Sequence, residues 1–141
     1  MATFTVISVG RLKERYFEEA AAEYIKRIGG YTKLNLIDVK SDTDIIGKIP
    51  GGAFVFALCV EGRQLTSEAF SQKLESVYHS EKKSVCFLIG GSDGLPDDVK
   101  AAADFRLSMS EMTFPHRLAK IMLLEQLYRA LSIQNNGKYH K

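Results

Sequence analysis

Three short stretches of this 141-residue chain hold residue types at spacings that could do chemistry. The first is FLIGGSDGLP, residues 87–96, where an apolar run meets Gly90, Gly91 and Gly94 in a turn that leads into a helix start. Glycine lets a backbone approach a ligand closely. In open α/β sheets, ligands bind beside such loops at the carboxyl ends of strands. The spacing is neither GxGxxG nor a Walker loop, so neither a dinucleotide nor a nucleoside triphosphate is indicated. A glycine turn also serves structure as readily as binding. The second stretch is SEMTFPHR, residues 110–117, a loop closed by Pro115 and His116 at a helix entrance. His116 alone reads as a structural histidine. The third is the tail, where Tyr139 and His140 follow two asparagines, a glycine and Lys138. A tail whose only apolar anchor is tyrosine normally frays. Histidine, with an unperturbed pKa of about 6.5, is nevertheless the default general base at neutral pH. Tyrosine can stack on a base or donate a hydrogen bond.

The elements that must hold these stretches in place are legible from their periodicities. Strands are expected at 3–9 and 33–39, and a buried one at 53–60, whose eight apolar residues suit a parallel strand covered on both faces. Further strands are expected at 85–89 and 105–109. Helical spacing marks 13–28, 67–78, 97–103 and 115–132, with Thr66 or Ser67 available as an N-cap and Gly29–Gly30 as a stop. Residues 40–52 show turn residues and little periodicity, and read as a short helix or a loop. Alternating strands and helices make an α/β domain with a mostly parallel sheet of five to six strands. Apolar residues wrap most of the last helix, leaving Glu125, Gln126 and Arg129 as its polar stripe. Such a helix is expected to meet a second subunit as well as its own sheet.

Composition narrows the function. The 19 Lys+Arg against 17 Asp+Glu give a net charge of +2, too little for binding nucleic acid by bulk charge. RNA contact would have to come from small basic groups: Arg11, Lys13 and Arg15; Lys26, Arg27 and Lys33; Lys82 and Lys83; Arg117 and Lys120; Lys138 and Lys141. Cys59 and Cys86 sit in apolar runs and are expected to be buried free thiols in a reducing cytoplasm. Scattered histidines and no CxxC pair predict no metal site. No stretch approaches the ~18 apolar residues of a membrane span, and no signal sequence is visible. One domain over residues 1–141 is expected.

Taken in order, FLIGGSDGL, LSMSEMTFPHRLAKIMLLEQLYRALSI, a tail ending YHK and the opening VISVGRLKERYFEEAAAEYIKRI resemble the RlmH-type methyltransferases of the SPOUT superfamily. The resemblance covers nearly the whole chain. It implies a trefoil-knotted α/β fold, a homodimer packed through the last helix, and S-adenosyl-L-methionine as cofactor. It also implies methylation of N3 of a pseudouridine in helix 69 of 23S ribosomal RNA, within the ribosome. Carried over residue by residue, the cofactor positions are Leu58, Gly90, Met109, Ser110, Glu111, Met112, Thr113 and Phe114. The candidate catalytic residues are His140 as base, Tyr139 to orient or stack on the flipped base, and Arg129 to contact phosphate or steady the tail. Two departures stand out: segment 40–52 is shorter than the family's lysine-rich insert, and Lys138 replaces the proline usual before the YH pair. A methyltransferase of another RNA, such as a transfer RNA, and a noncatalytic ribosome-binding module are the rival readings.

Overall fold

The computed structural model describes residues 3–82 and 84–140. Lys83 and Lys141, counted above among the basic groups, lie outside the described residues. In chain order the elements are β1 (Thr3–Val9), α1 (Arg15–Gly29), β2 (Leu34–Val39) and β3 (Ala53–Gln64). There follow α2 (Ser67–Tyr78), β4 (Ser84–Ile89), α3 (Asp97–Ala102), β5 (Phe105–Ser108) and α4 (His116–Gln134). The five strands form one sheet in the order β2-β1-β4-β3-β5, and every strand pair is parallel. Segment 40–52 is neither one helix nor plain loop but carries two 3₁₀ turns, Asp42–Asp44 and Ile46–Lys48.

Side chains alternate across a strand, so each central strand feeds two cores. On one face Phe4, Val6, Phe56, Val85 and Phe87 pack under α1, α2 and α4, with Ile28, Phe70, Leu74, Leu123, Leu127 and Leu131 fully or nearly fully buried. Phe56 and Phe87 stack at 4.9 Å between centroids, and Phe4 meets Phe87 edge-on at 6.1 Å. On the other face Ile7, Val55, Ala57, Cys86 and Leu88 lie beneath Ile45, Leu95 and Val99, a thinner cover made by the 3₁₀ turns and α3. Burial pushes the Cys86 thiol up to about 12. Cys59 departs from expectation. It is only half-buried, because it lies past the covered part of β3.

The helix ends follow local chemistry. Thr66 caps α2 by accepting from the Ala69 amide at 3.0 Å. Asp97 and Asp98 fill the first turn of α3, where the helix dipole favours acid. Pro115 precedes α4 rather than starting it. α4 runs between α1 and α2 with seven buried residues, and its polar members are held by specific partners. Lys120, 4% exposed, places its ammonium 2.9 Å from Asp38, which also accepts from Ser8. Arg117 pairs with Glu14 at 2.9 Å, tying the start of α4 to the start of α1.

Strand β3 runs four residues beyond its expected end. Leu58 and Arg63 both stand in register with Leu107 of β5, so residues 59–62 bulge out of the ladder before it resumes at Gln64 and Ser108. The Gly in this bulge hid the continuation from the apolar pattern, since only 53–60 reads as a buried run. Gly62 is needed there: a Cβ on it would come within 2.8 Å of the Arg106 carbonyl. Among the described residues, no helix is long and apolar enough to cross a membrane.

Candidate functional site

Because all strands are parallel, their carboxyl ends share one edge of the sheet. There the bulge of β3, the glycine loop after β4 and the loop from β5 to α4 enclose a half-open cleft of about 690 Å³, within the range of small-molecule and cofactor sites. Apolar walls come from Leu58, Ile89, Leu95, Met109 and Phe114; Glu61, Asp93 and Lys100 supply charge. The glycine loop folds back on itself with Gly94 in the left-handed region at φ +78°. A Cβ on Gly90 would sit 2.6 Å from the Gly94 carbonyl oxygen and the Leu95 amide nitrogen, so only glycine fits. On the opposite wall, Ser108 donates to the Ser110 carbonyl at 2.9 Å, and the Ser110 hydroxyl accepts from the Met112 amide at 3.0 Å. These two bonds fix the loop before α4. Burial, then the neighbouring Arg117, holds the His116 imidazole below its usual pKa at the cleft edge.

The tail does not hang free. Asn136 turns out of α4 in the left-handed conformation at φ 56°, a region asparagine tolerates, and the Gly137 amide donates back to the Ser132 carbonyl at 2.7 Å. The returning chain lays Tyr139 on Tyr128 at 4.8 Å, edge-on, and beneath the Arg129 guanidinium at 4.7 Å. Glu125 is the hub. Its carboxylate accepts from Arg129 at 2.7 and 3.2 Å and from the Tyr139 hydroxyl at 2.7 Å. Burial alone would raise the Glu125 pKa; the bonds from Arg129 and Tyr139 outweigh it and hold the carboxyl below its ordinary value. The same bond to Glu125, aided by burial, pushes the Tyr139 phenol up to about 12. Arg129 also reaches His140 Nδ1 at 2.9 Å. A guanidinium only donates, so Nδ1 accepts and the ring hydrogen sits on Nε2, 3.5 Å from Glu68.

Of the residues singled out from sequence, Leu58, Gly90, Met109, Ser110, Met112, Thr113 and Phe114 line the cleft together; Glu111 is exposed and does not line it. Arg129, Tyr139 and His140 come together in the tail cluster, none of them on the lining of the cleft. Arg129 lies ten residues beyond Ala119, the last α4 residue at the cleft, a rise of about 15 Å. A hollow of about 270 Å³ bridges the two regions, sharing Met109 with the cleft and carrying Glu125 and Gln126 at its far end. Sequence reasoning missed Glu61 and Lys100 as cleft residues and Glu125 as the hub. The i,i+4 spacing of Glu125 and Arg129 was a signal for that pair; nothing local signals that Tyr139 returns to it. Among the described residues, no three His, Cys, Asp or Glu side chains gather into a metal site.

Comparison with known proteins agrees with this geometry. The family described as "Predicted SPOUT methyltransferase" matches residues 2–140. Ribosomal RNA large subunit methyltransferase H of Alkaliphilus oremlandii is 41% identical over 97% of this chain and 98% of its own. The protein of that name from Ruminiclostridium cellulolyticum is 38% identical with the same coverage. Among solved structures, a probable methyltransferase from Bordetella pertussis shares the fold with a TM-score of 0.63 over 92% of this chain and 95% of its own, at 13% identity. A probable methylase family protein from Haemophilus influenzae does so at 0.60 over 99% of this chain and 70% of its own, at 15% identity. A parallel sheet with a glycine-closed cleft at its carboxyl edge, matched along its length by these relatives, makes the chain a member of the SPOUT methyltransferase family.

Proposed function

We propose that this methyltransferase transfers a methyl group from S-adenosyl-L-methionine to N3 of a pseudouridine in helix 69 of 23S ribosomal RNA. The observation that carries the reading is the convergence of Leu58, Gly90 and the 109–114 loop on one cleft, in a chain about 40% identical to ribosomal RNA methyltransferases. The cleft fits the donor. Its apolar walls suit a purine, and Gly90, bare of a side chain, lets the 90–95 loop fold back on its own backbone to close one wall of the cleft. When bound, S-adenosyl-L-methionine supplies a methyl on a sulfonium sulfur that departs as a neutral thioether.

The protein's part is alignment and proton removal. Holding two reactants in line supplies several kcal/mol of the barrier. The imide N3 gives up its proton as its electron pair takes the methyl, and His140 is the base within our reading. In the free chain the His140 Nδ1 lone pair is occupied by an Arg129 N–H. The imide N3–H is a donor of the same kind and takes that place in the substrate complex. Arg129 then turns its guanidinium to phosphate, and Tyr139 stacks on or orients the base.

We further infer a homodimer. Leu118, Ile121 and Met122 of α4 are only half-buried in one chain, and the tail cluster stands well away from its own cleft. Packing two α4 helices together covers these residues and brings the tail of one subunit to the cleft of the other. Assembled ribosomes are met in the cytoplasm, where we place the protein. Transfer of labelled methyl to ribosomes from cells lacking the protein, with the modified nucleotide mapped, tests the reading. Label on the helix 69 pseudouridine is expected; label confined to transfer RNA overturns the substrate assignment.

A further inference from the structure

The cleft holds one charged feature that alignment of the donor's adenosine end does not use. Glu61 stands in the 59–62 bulge of β3, and Lys100 reaches it from α3 with Nζ 2.5 Å from Oε1. Both side chains line the cleft, Lys100 at 19% exposure and Glu61 at 54%. Lys100 is the one lysine or arginine among the described residues of that lining. An ammonium has three donors, and Glu61 takes one of them. Resting on the donor-binding reading above, we propose that Glu61 and Lys100 form a clasp for the α-amino-acid end of the methyl donor.

The physical case is charge complementarity. That end of the donor is a zwitterion with a carboxylate and an ammonium on the same carbon. Laid antiparallel to the Glu61–Lys100 pair, it sets its carboxylate against Nζ and its ammonium against the Glu61 carboxylate. Four charges then alternate in a ring, and the pair need not come apart to admit the ligand. Without Lys100, the donor carboxylate enters a cleft whose remaining fixed charges are acidic, Glu61 and Asp93, and an uncompensated like charge weakens binding. The bulge has a purpose on this account: it lifts Glu61 out of the ladder and over the cleft.

The test is calorimetric binding to the full chain of two ligands that share the adenosine end. S-adenosylhomocysteine carries the amino-acid end and 5′-methylthioadenosine lacks it. The wild-type chain should prefer S-adenosylhomocysteine. Lys100→Met should weaken S-adenosylhomocysteine about tenfold or more, as loss of a charge-assisted contact does, while 5′-methylthioadenosine changes less than about twofold and reports that the cleft is intact. Glu61→Gln should act in the same direction through the ammonium, and Lys100→Arg should retain most of the preference. Equal loss for both ligands, or no loss for S-adenosylhomocysteine, overturns the clasp. Equal wild-type affinity for the two ligands overturns the clasp and leaves the donor reading standing. A wild-type chain that binds neither overturns the donor reading, and the clasp with it.

Discussion

Replacing Gly90 by alanine tests the cleft with a single methyl group. A Cβ there would lie 2.6 Å from both the Gly94 carbonyl oxygen and the Leu95 amide nitrogen, and closer still to the Gly94 carbonyl carbon, whereas ordinary contact begins at 3.4 Å. The shortfall is thus at least 0.8 Å, and every atom met belongs to backbone. No side chain can swing aside, so the 90–95 loop must open. Overpacking of this kind costs about 1–3 kcal/mol, which for a chain of this size lowers Tm by roughly 2–4 °C per kcal/mol. Displacement of catalytic geometry by about 1 Å costs on the order of 10²-fold in rate, so donor affinity and turnover should both fall by at least tenfold. Gly91→Ala is the control: its Cβ would meet only the Val9 side chain, at 3.3 Å, and Val9 can give way. Thermal melting and titration with S-adenosylhomocysteine read both variants. A Gly90→Ala chain with wild-type Tm and affinity would refute the close-approach argument.

Three further outcomes are expected. His140→Ala should lower turnover on ribosomes by about 10²-fold or more, as loss of a general base does, with donor affinity within twofold; equal losses in both would remove His140 from the chemistry. A mixed dimer of one Gly90→Ala and one His140→Ala subunit should recover activity above either parent, because one intact cleft then meets one intact tail; no recovery would place tail and cleft in the same chain. The Tyr139 phenol, raised by its bond to Glu125 and by burial, stays protonated up to about 12, above the ~10 of an unfolded tyrosine. Its share of tail stability is therefore complete below pH ~10 and disappears as pH rises through about 12. A difference titration of phenolate absorbance, wild type minus Tyr139→Phe, should show one tyrosine ionising near 12; ionisation near ~10 would contradict the bond.

Residue pattern revealed much of this architecture, for reasons visible in particular elements. Phe87 and Cys86 are both apolar because β4 is covered on both faces, and an unbroken apolar run is what a central parallel strand looks like. The second half of β3 was hidden because VEGRQ mixes charge with glycine, as a turn does, while its pairing partners in β5 lie 44 residues away. The tail was equally opaque. Its return onto α4 depends on a left-handed Asn136 and on Glu125 as acceptor, and neither Tyr139 nor His140 carries any local mark of that partner. Lys120 reads as a surface lysine and proves buried, since Asp38, distant in sequence, compensates its charge. A threaded connection, which family likeness implies, is a property of the chain path and not of residue type, so no periodicity encodes it.

The bulge in β3 separates two selective pressures that most active sites must satisfy together. The ladder with β5 is left after Leu58 and rejoined at Arg63 on the same partner, Leu107, so residues 59–61 carry no obligation to the sheet, and only Gly62 is constrained by it. Substitutions at Cys59, Val60 or Glu61 can reshape one wall of the cleft at little cost to folding. One wall of the cleft can therefore change shape at Cys59 and Val60 while the sheet beneath it keeps its register.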